Sequence, residues 1–215
     1  MRLQYVSDIH LERLCKIPEL KQVGSYLALI GDIGDPYKSN YTEFLTYTSY
    51  HYEHVFLVSG NHEYWTNKSI SSTDNRIYQI TSKLPNVTYL NNKFIQLGNY
   101  YVVGSTLWTP ASQPDGNDKA IKFLIDSLTN NRQKIVLTHY IPSYSLNSDN
   151  YKQPRYKNAL KYYCNELDNL IQKPIKHWLC GHSHCNIDMN INGVHCAINA
   201  NHCKTRLTSK YITLT

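Results

Sequence analysis

The chain has 215 residues, 41% of them hydrophobic and 18% charged, and carries a formal net charge of +6. That balance excludes a disordered chain and suits a single globular domain, expected over residues 1–215. The positive charge favours anionic partners in general, but no run of five or six basic residues occurs, so nucleic acid is only weakly supported as a partner.

In chain order, Arg2–Val6 reads as a strand that leads into Ser7-Asp8-Ile9-His10, and Tyr26–Ile30 as a strand that leads into Gly31-Asp32. A helix is expected over 41–51, then a strand over 55–58 running into Ser59-Gly60-Asn61-His62-Glu63. A second helix is expected over 73–83, followed by strands at 87–90, 94–97 and 100–103, the last two joined by a hairpin turn at Gly98-Asn99. A helix over 118–129, capped by Asn117 or Asp118, precedes a strand at 134–137 that leads into Thr138-His139. A longer helix is expected over 158–172, closed by Pro174, and a strand at 176–179 leads into Cys180-Gly181-His182-Ser183-His184. Strands at 194–198 and 211–214 complete the chain. The apolar runs are short and nearly continuous, as in strands covered on both faces.

Five times a strand ends and Asp, His or Asn follows at once. In open α/β sheets ligands gather outside the carboxyl ends of strands, so five such ends make one polar site. Chance is a poor explanation. Asp-x-His alone is expected about 0.5 times in a chain of this composition, but Gly-Asn-His-Glu only about 0.001 times, and the four motifs together on the order of 10⁻⁷. Carboxylate, imidazole and one neutral amide are ligands for divalent Mn, Fe, Zn, Co or Ni. Two metals close together stabilise the attacking and the leaving oxygen of an in-line displacement, and a carboxylate such as Asp32 has two oxygens with which to bridge them.

These motifs resemble those of the calcineurin-like metallophosphoesterases: D-x-H as Asp8-Ile9-His10, G-D-x-x-D as Gly31-Asp32-Ile33-Gly34-Asp35, G-N-H-[DE] as Gly60-Asn61-His62-Glu63, a lone His139, and G-H-x-H as Gly181-His182-Ser183-His184. The resemblance spans residues 8 to 184. It implies an α/β fold of two mixed sheets packed as a sandwich and flanked by helices. It also implies two divalent ions, manganese foremost, with Asp8, His10, Asp32 and His184 on one and Asp32, Asn61, His139 and His182 on the other. By the same resemblance His62 is the acid near the leaving group, and Asp35 hydrogen-bonds and orients it. The function implied is hydrolysis of a phosphate ester, with a small phosphodiester or nucleotide favoured over a phosphomonoester or phosphoprotein. A binding scaffold of the same fold that has lost catalysis is the rival from another class, and the intact motifs argue against it. The Arg-Gly that follows the second motif in phosphoprotein phosphatases is replaced here by Pro36-Tyr37.

The remaining chemistry-bearing residues have plainer readings. His51, His54, His177, His195 and His202 lie outside the motifs and are expected as ordinary hydrogen-bonded residues. Glu63 is expected to anchor its loop, Cys185 to be a buried thiol, and Trp108 to be a core residue before a platform, beside a loop at 109–117 placed to border the site. Lys152, Arg155, Lys157 and Lys161 alternate with aromatics over 151–163, which reads as a solvated helix face before it reads as a nucleotide grip. The six cysteines show no C-x-x-C spacing and are expected as free thiols. Nothing approaches eighteen consecutive apolar residues, and the first ten residues run straight into a strand pattern, so the expectation is a cytoplasmic protein without a membrane span.

Overall fold

A computed structural model describes residues 1–149 and 151–215. The chain runs β1 (Arg2–Val6), β2 (Tyr26–Ile30), α1 (Ser39–His51), β3 (His54–Val58), α2 (Ile70–Thr81), β4 (Val87–Tyr89), β5 (Lys93–Leu97) and β6 (Tyr100–Ser105). It continues with α3 (Pro114–Ser127), β7 (Gln133–Thr138), α4 (Lys157–Leu160), β8 (Ile175–Cys180), β9 (Asn186–Ile191), β10 (Val194–Asn199) and β11 (Lys210–Thr213). Two mixed sheets form, in the orders β11-β1-β2-β3-β4 and β5-β6-β7-β8-β10-β9. The inner strands are parallel, while β11, β5 and β9 pair antiparallel at or beside the edges.

The continuous apolar runs become strands because both their faces are covered. Leu3, Tyr5, Ala28, Ile30 and Phe56 of the first sheet face Tyr100, Val102, Ile135 and Leu137 of the second, making the central core. On the outer faces Phe44, Leu45, Ile77 and Ile80 of α1 and α2 cover the first sheet, and Ala120 and Leu124 of α3 cover the second. Each fully buried Leu, Ile or Phe contributes about 1.5–3 kcal/mol, so the sandwich is held chiefly from its three apolar layers. Among the described residues no helix is long and apolar enough to cross a membrane.

Three elements differ from the sequence reading. β9 is a strand that it did not contain. Asn186, Asp188 and Asn190 point outward while Ile187, Met189 and Ile191 pack on the core, a period of two concealed by its polar half. α3 opens at Pro114, earlier than the expected cap, because proline is preset for the first helical position. Asn117 is therefore inside the helix, where its side-chain amide donates to Asn165 Oδ1 at 2.8 Å and to the Trp108 carbonyl. The helix expected over 158–172 stops at Leu160. After a turn over 161–163 the chain lies beside the loop after β7, where the N–H groups of Asn165 and Leu167 donate to the carbonyls of Ile141 and Pro142 at 3.0 and 2.8 Å.

The sandwich brings the carboxyl ends of β1, β2 and β3 against those of β7 and β8. Within each sheet backbone bonds hold neighbouring ends together (Asp8 N–H to Gly31 O, His10 N–H to Asp32 O, and Gly181 N–H to His139 O, each 3.0 Å), and Ser7 N–H to Asn199 O at 3.1 Å ties one sheet to the other.

Candidate metal centre

The backbone leaves β1, β2 and β8 by sharp left-handed turns. Among the described residues nine non-glycine residues have positive φ, and five of them are Asp8 (54°), His10 (56°), Asp32 (52°), His182 (66°) and His184 (52°). Left-handed backbone costs a side-chain-bearing residue about 1–3 kcal/mol, and such strain gathers at functional sites. Here it swings alternate side chains off the ends of the sheets and into one hollow. The motif glycines are required by the same crowding. A Cβ on Gly60 would lie 2.2 Å from Asp32 Oδ1, and one on Gly181 would lie 2.9 Å from Asp8 Oδ2.

Two sets of donor atoms that share Asp32 result, each drawn together within 4.8 Å: Asp8, His10, Asp32 and His184 in one, and Asp32, His139 and His182 in the other; among the described residues His10, Glu12 and His62, and His10, His184 and His202, also come within that distance. In the first, His10 Nε2 lies 3.2 Å from His184 Nε2 and 3.9 Å from Asp32 Oδ2, and His184 Nε2 lies 3.5 Å from Asp8 Oδ1. In the second, His139 Nε2 lies 3.4 Å from Asp32 Oδ1, 3.2 Å from His182 Nδ1 and 3.1 Å from Asn61 Oδ1. Asp32 belongs to both sets, with Oδ2 turned to the first and Oδ1 to the second. All seven ligand candidates from the sequence are therefore in one place.

Surrounding groups fix the donors. The Ile30 carbonyl accepts from His139 Nδ1 at 3.1 Å, leaving Nε2 free for the site. Asp8 accepts from the His182 N–H at 2.9 Å and from the Ser7 hydroxyl. Glu63, fully buried, accepts from the N–H groups of Asp32, Ile33, Gly34 and Gly60 at 3.0, 2.8, 3.2 and 2.6 Å, and so clips two ligand loops together as its loop-anchor reading expects.

The electrostatics suit a cation. Burial pushes the Asp8 carboxyl up to about 6, with Asp32 adding to the shift and His139 opposing it. Burial also opposes charge on Asp32, but the charge and hydrogen bond of His139 hold its carboxyl well below the usual carboxylate range. Burial and the neighbouring His139 push His182 down to about 3, and burial with His10 and His202 pushes His184 down to about 4. Both rings are thus neutral at ordinary pH, the form in which imidazole ligates metal. Burial opposes charge on His139, but Asp32 outweighs it and draws that ring up to about 9, so a cation there would take the place of its Nε2 proton. With the neutral rings of His182 and His184, the buried carboxylates and the shared Asp32 make a donor set that two divalent ions fit.

A scan against family models matches residues 1–186 to the calcineurin-like phosphoesterases. The chain belongs to that family. It is 30% identical to the uncharacterized protein L509 of Acanthamoeba polyphaga mimivirus, an alignment covering 92% of this chain and 89% of that protein. Its fold is similar to that of the phosphopantetheinyl hydrolase of Mycobacterium tuberculosis, with a TM-score of 0.68 at 13% identity over 92% of this chain and 88% of that one. Membership implies a dinuclear metal site and metal-dependent phosphoester hydrolysis, and the two donor sets around Asp32 agree with it.

Within this calcineurin-like centre, His62 lies at the edge, with Nε2 3.9 Å from Asp32 Oδ2. The expected partnership with Asp35 is corrected by the structure. Asp35 Oδ1 accepts from the Tyr37 N–H at 2.9 Å, closing a turn before α1, and the atom facing His62 Nδ1 is Glu12 Oε1 at 3.1 Å. The turn wins because an Asp two residues ahead of a free backbone N–H, with Pro36 between, is the local geometry that the side chain satisfies most readily.

Beside the donors opens a cleft of about 550 Å³, walled by Trp65, Trp108, Tyr140, Tyr162 and Tyr163. Trp65 is 69% exposed and lies against His62, ring centroids 3.7 Å apart, while Tyr140 and Tyr163 flank His182 at 4.1 and 5.4 Å. Arg13 also lines it. His202, taken for an ordinary histidine, instead packs on His10 and His184 with centroids 4.7 and 4.5 Å away. His51, His54, His177 and His195 have hydrogen-bond partners away from the site. Cys185 is half-buried, donating to the Ser183 carbonyl, rather than a buried thiol. Of the residues that sequence reasoning missed, Glu12, Arg13 and Trp65 all lie within three residues of a motif histidine, which is the signal that points to them.

Proposed function

We propose that the chain hydrolyses a small phosphodiester or nucleotide, using two divalent ions with manganese the first choice. Asp8, His10, Asp32 and His184 would hold one ion, and Asp32, Asn61, His139 and His182 the other. The observation that carries this reading is Asp32, whose two oxygens each face one donor set. Ions held there supply a water whose pKa falls to about 7 and neutralise the phosphoryl oxygens.

The chain's own residues do the rest. His62 lines the cleft beside Asp32 and donates the proton that the leaving oxygen needs. Arg13, at the mouth, attracts and orients the anionic ester. The aromatic walls suit a planar leaving group, since a base stacked on Trp or Tyr contributes about 1–3 kcal/mol of binding. A cleft of this size fits a small molecule better than a folded phosphoprotein.

The test is a panel of phosphomonoesters, nucleotides, cyclic nucleotides and linear diesters, each assayed with added Mn²⁺ and after chelation. Turnover concentrated on nucleotide esters and abolished by the chelator is expected. Preference for phosphoproteins, or turnover untouched by chelation, would overturn the reading.

A further inference from the structure

Glu12 follows the D-x-H motif but belongs to none of the family's motif positions, and its carboxylate stands behind two imidazoles at once. Oε1 lies 3.1 Å from His10 Nδ1 and 3.1 Å from His62 Nδ1. Across the same two rings, each Nε2 lies 3.9 Å from Asp32 Oδ2. The rings meet edge to face, centroids 4.2 Å apart at 78°. The arrangement is symmetric: one oxygen behind, one oxygen in front, and a histidine on either side.

A carboxylate only accepts, and one of its oxygens has lone pairs for two donors. Each ring must then carry its N–H at Nδ1. For His10 that leaves the Nε2 lone pair toward the first donor set. For His62 it directs Nε2 into the cleft, where that nitrogen takes a second proton from solvent before passing it to the leaving oxygen, while Nδ1–H stays on Glu12. The mounting is firm, because Glu12 sits in a short turn, Leu11–Arg13, whose Leu11 is fully buried and takes bonds from both sides. The Leu11 N–H donates to Ile33 O at 2.8 Å, and Asn40 Nδ2 donates to Leu11 O at 2.7 Å. The alternative partner, Arg13 Nε, is farther from Oε1 at 3.9 Å and half-exposed. Glu12 Oε2 is buried and has no hydrogen-bond partner, so the carboxylate is held by its histidine contacts.

We propose that Glu12 is the positioning residue shared by His10 and His62, fixing the tautomer of both and filling the place expected of Asp35. One side chain thereby ties retention of the first ion to alignment of the proton donor. The catalytic half of this inference rests on the proposed phosphoester hydrolysis, whereas the tautomer half does not.

The experiment uses the full chain with ¹⁵N-labelled histidine. Long-range ¹H–¹⁵N spectra of the metal-free protein report which ring nitrogen bears the proton. In wild type both His10 and His62 are expected as the Nδ1–H form. Glu12→Ala should release both rings to mixed tautomers, Glu12→Gln, which keeps an acceptor oxygen, should retain the wild-type form, and Asp35→Ala should leave both unchanged. In parallel, Glu12→Ala should lower kcat by about 10- to 100-fold and weaken Mn²⁺ retention by a similar factor, with KM moved less and Glu12→Gln recovering most of the loss. Should Glu12→Ala fail to fold, Glu12→Asp, one methylene too short to reach both rings, takes its place and is expected to free at least one of them. Tautomers unmoved in Glu12→Ala or in Glu12→Asp, or moved by Asp35→Ala, would overturn the proposal. A wild type that turns over no ester defeats the hydrolysis reading alone, because the spectra still decide the role of Glu12.

Discussion

Two histidine clusters in this molecule use the same side chains to different ends. At the strand ends, His10, His139, His182 and His184 converge with two carboxylates. In the body of the second sheet, His177 on β8 and His195 on β10 face each other in register, Nδ1 to Nδ1 at 3.0 Å, with Asp188 Oδ1 3.0 Å from His195 Nε2. Yet among the described residues this second cluster is not part of any three-ligand group. The difference lies in the backbone. On a regular strand, neighbours on one face are pinned by the pleat and only cross-strand partners meet. Where the chain turns left-handed off the strand, residues two apart converge, and several strands contribute to one point. Imidazole proximity alone does not make a metal site.

The largest expected effect falls on the shared carboxylate. Asp32→Asn should empty both ion sites and lower phosphoester turnover by several orders of magnitude, whereas His177→Ala should leave metal content at the wild-type level; elemental analysis and kinetics on the two variants check this. A loss of metal from His177→Ala would erase the distinction between the clusters.

The next effect sharpens the roles inside the first cluster. His62→Ala should lower turnover of an alkoxide-leaving diester by about 10²–10⁴-fold but act less on bis-p-nitrophenyl phosphate, whose leaving group needs no proton. Asp35→Ala should cost only a few-fold on either ester. Equal losses on both esters for His62→Ala, with metals intact, would mean that the ring acts on the phosphoryl oxygens instead.

Burial, with the charge of His195 added, pushes His177 down to about 4 from an ordinary 6.5. The unfolded chain therefore binds a proton near 6.5 that the folded chain refuses until about 4. The stability contributed by neutral His177 is full above pH 6.5 and is lost as pH falls through that window, by about 1–2 kcal/mol once solvent screening of the ring is allowed for. His177→Gln should flatten the stability profile between pH 6.5 and 4 by that amount. Urea unfolding across the window measures it, and an unchanged slope would show that the strand cluster tolerates charge.

The smallest effect contrasts the two backbones directly. Glycine at His184, where φ is 52°, relieves left-handed strain, so His184→Gly should stabilise the metal-free protein by about 1 kcal/mol while weakening ion retention. His177→Gly, in a strand, should destabilise it. A fall in melting temperature for both would deny that the strand-end turns store strain.

Much of this centre was legible in the sequence, for a definite reason. The candidate ligands sit in short motifs whose glycines have no room for a Cβ, so Gly31, Gly60 and Gly181 announce Asp32, Asn61 and His182. The sandwich was equally readable, because strands covered on both faces give unbroken apolar runs. Elements governed by tertiary contact were not. β9 hides its apolar half between Asn and Asp, and the segment after Leu160 gives up its helical pattern to bond along Ile141 and Pro142. The partner of His62 was misread because Asp35 satisfies a local turn, and Glu12 reaches His62 only through the fold, fifty residues away in sequence.

The central claim is that Asp32 divides one hollow into two ion sites. Metal content of the reconstituted full chain tests it most directly, measured for wild type, Asp32→Asn and Asp8→Ala after removal of unbound ion. Two ions per chain are expected in wild type, loss from both sites in Asp32→Asn, and one retained ion in Asp8→Ala. A single ion in the fully reconstituted wild type, or Asp32→Asn retaining both, would contradict it.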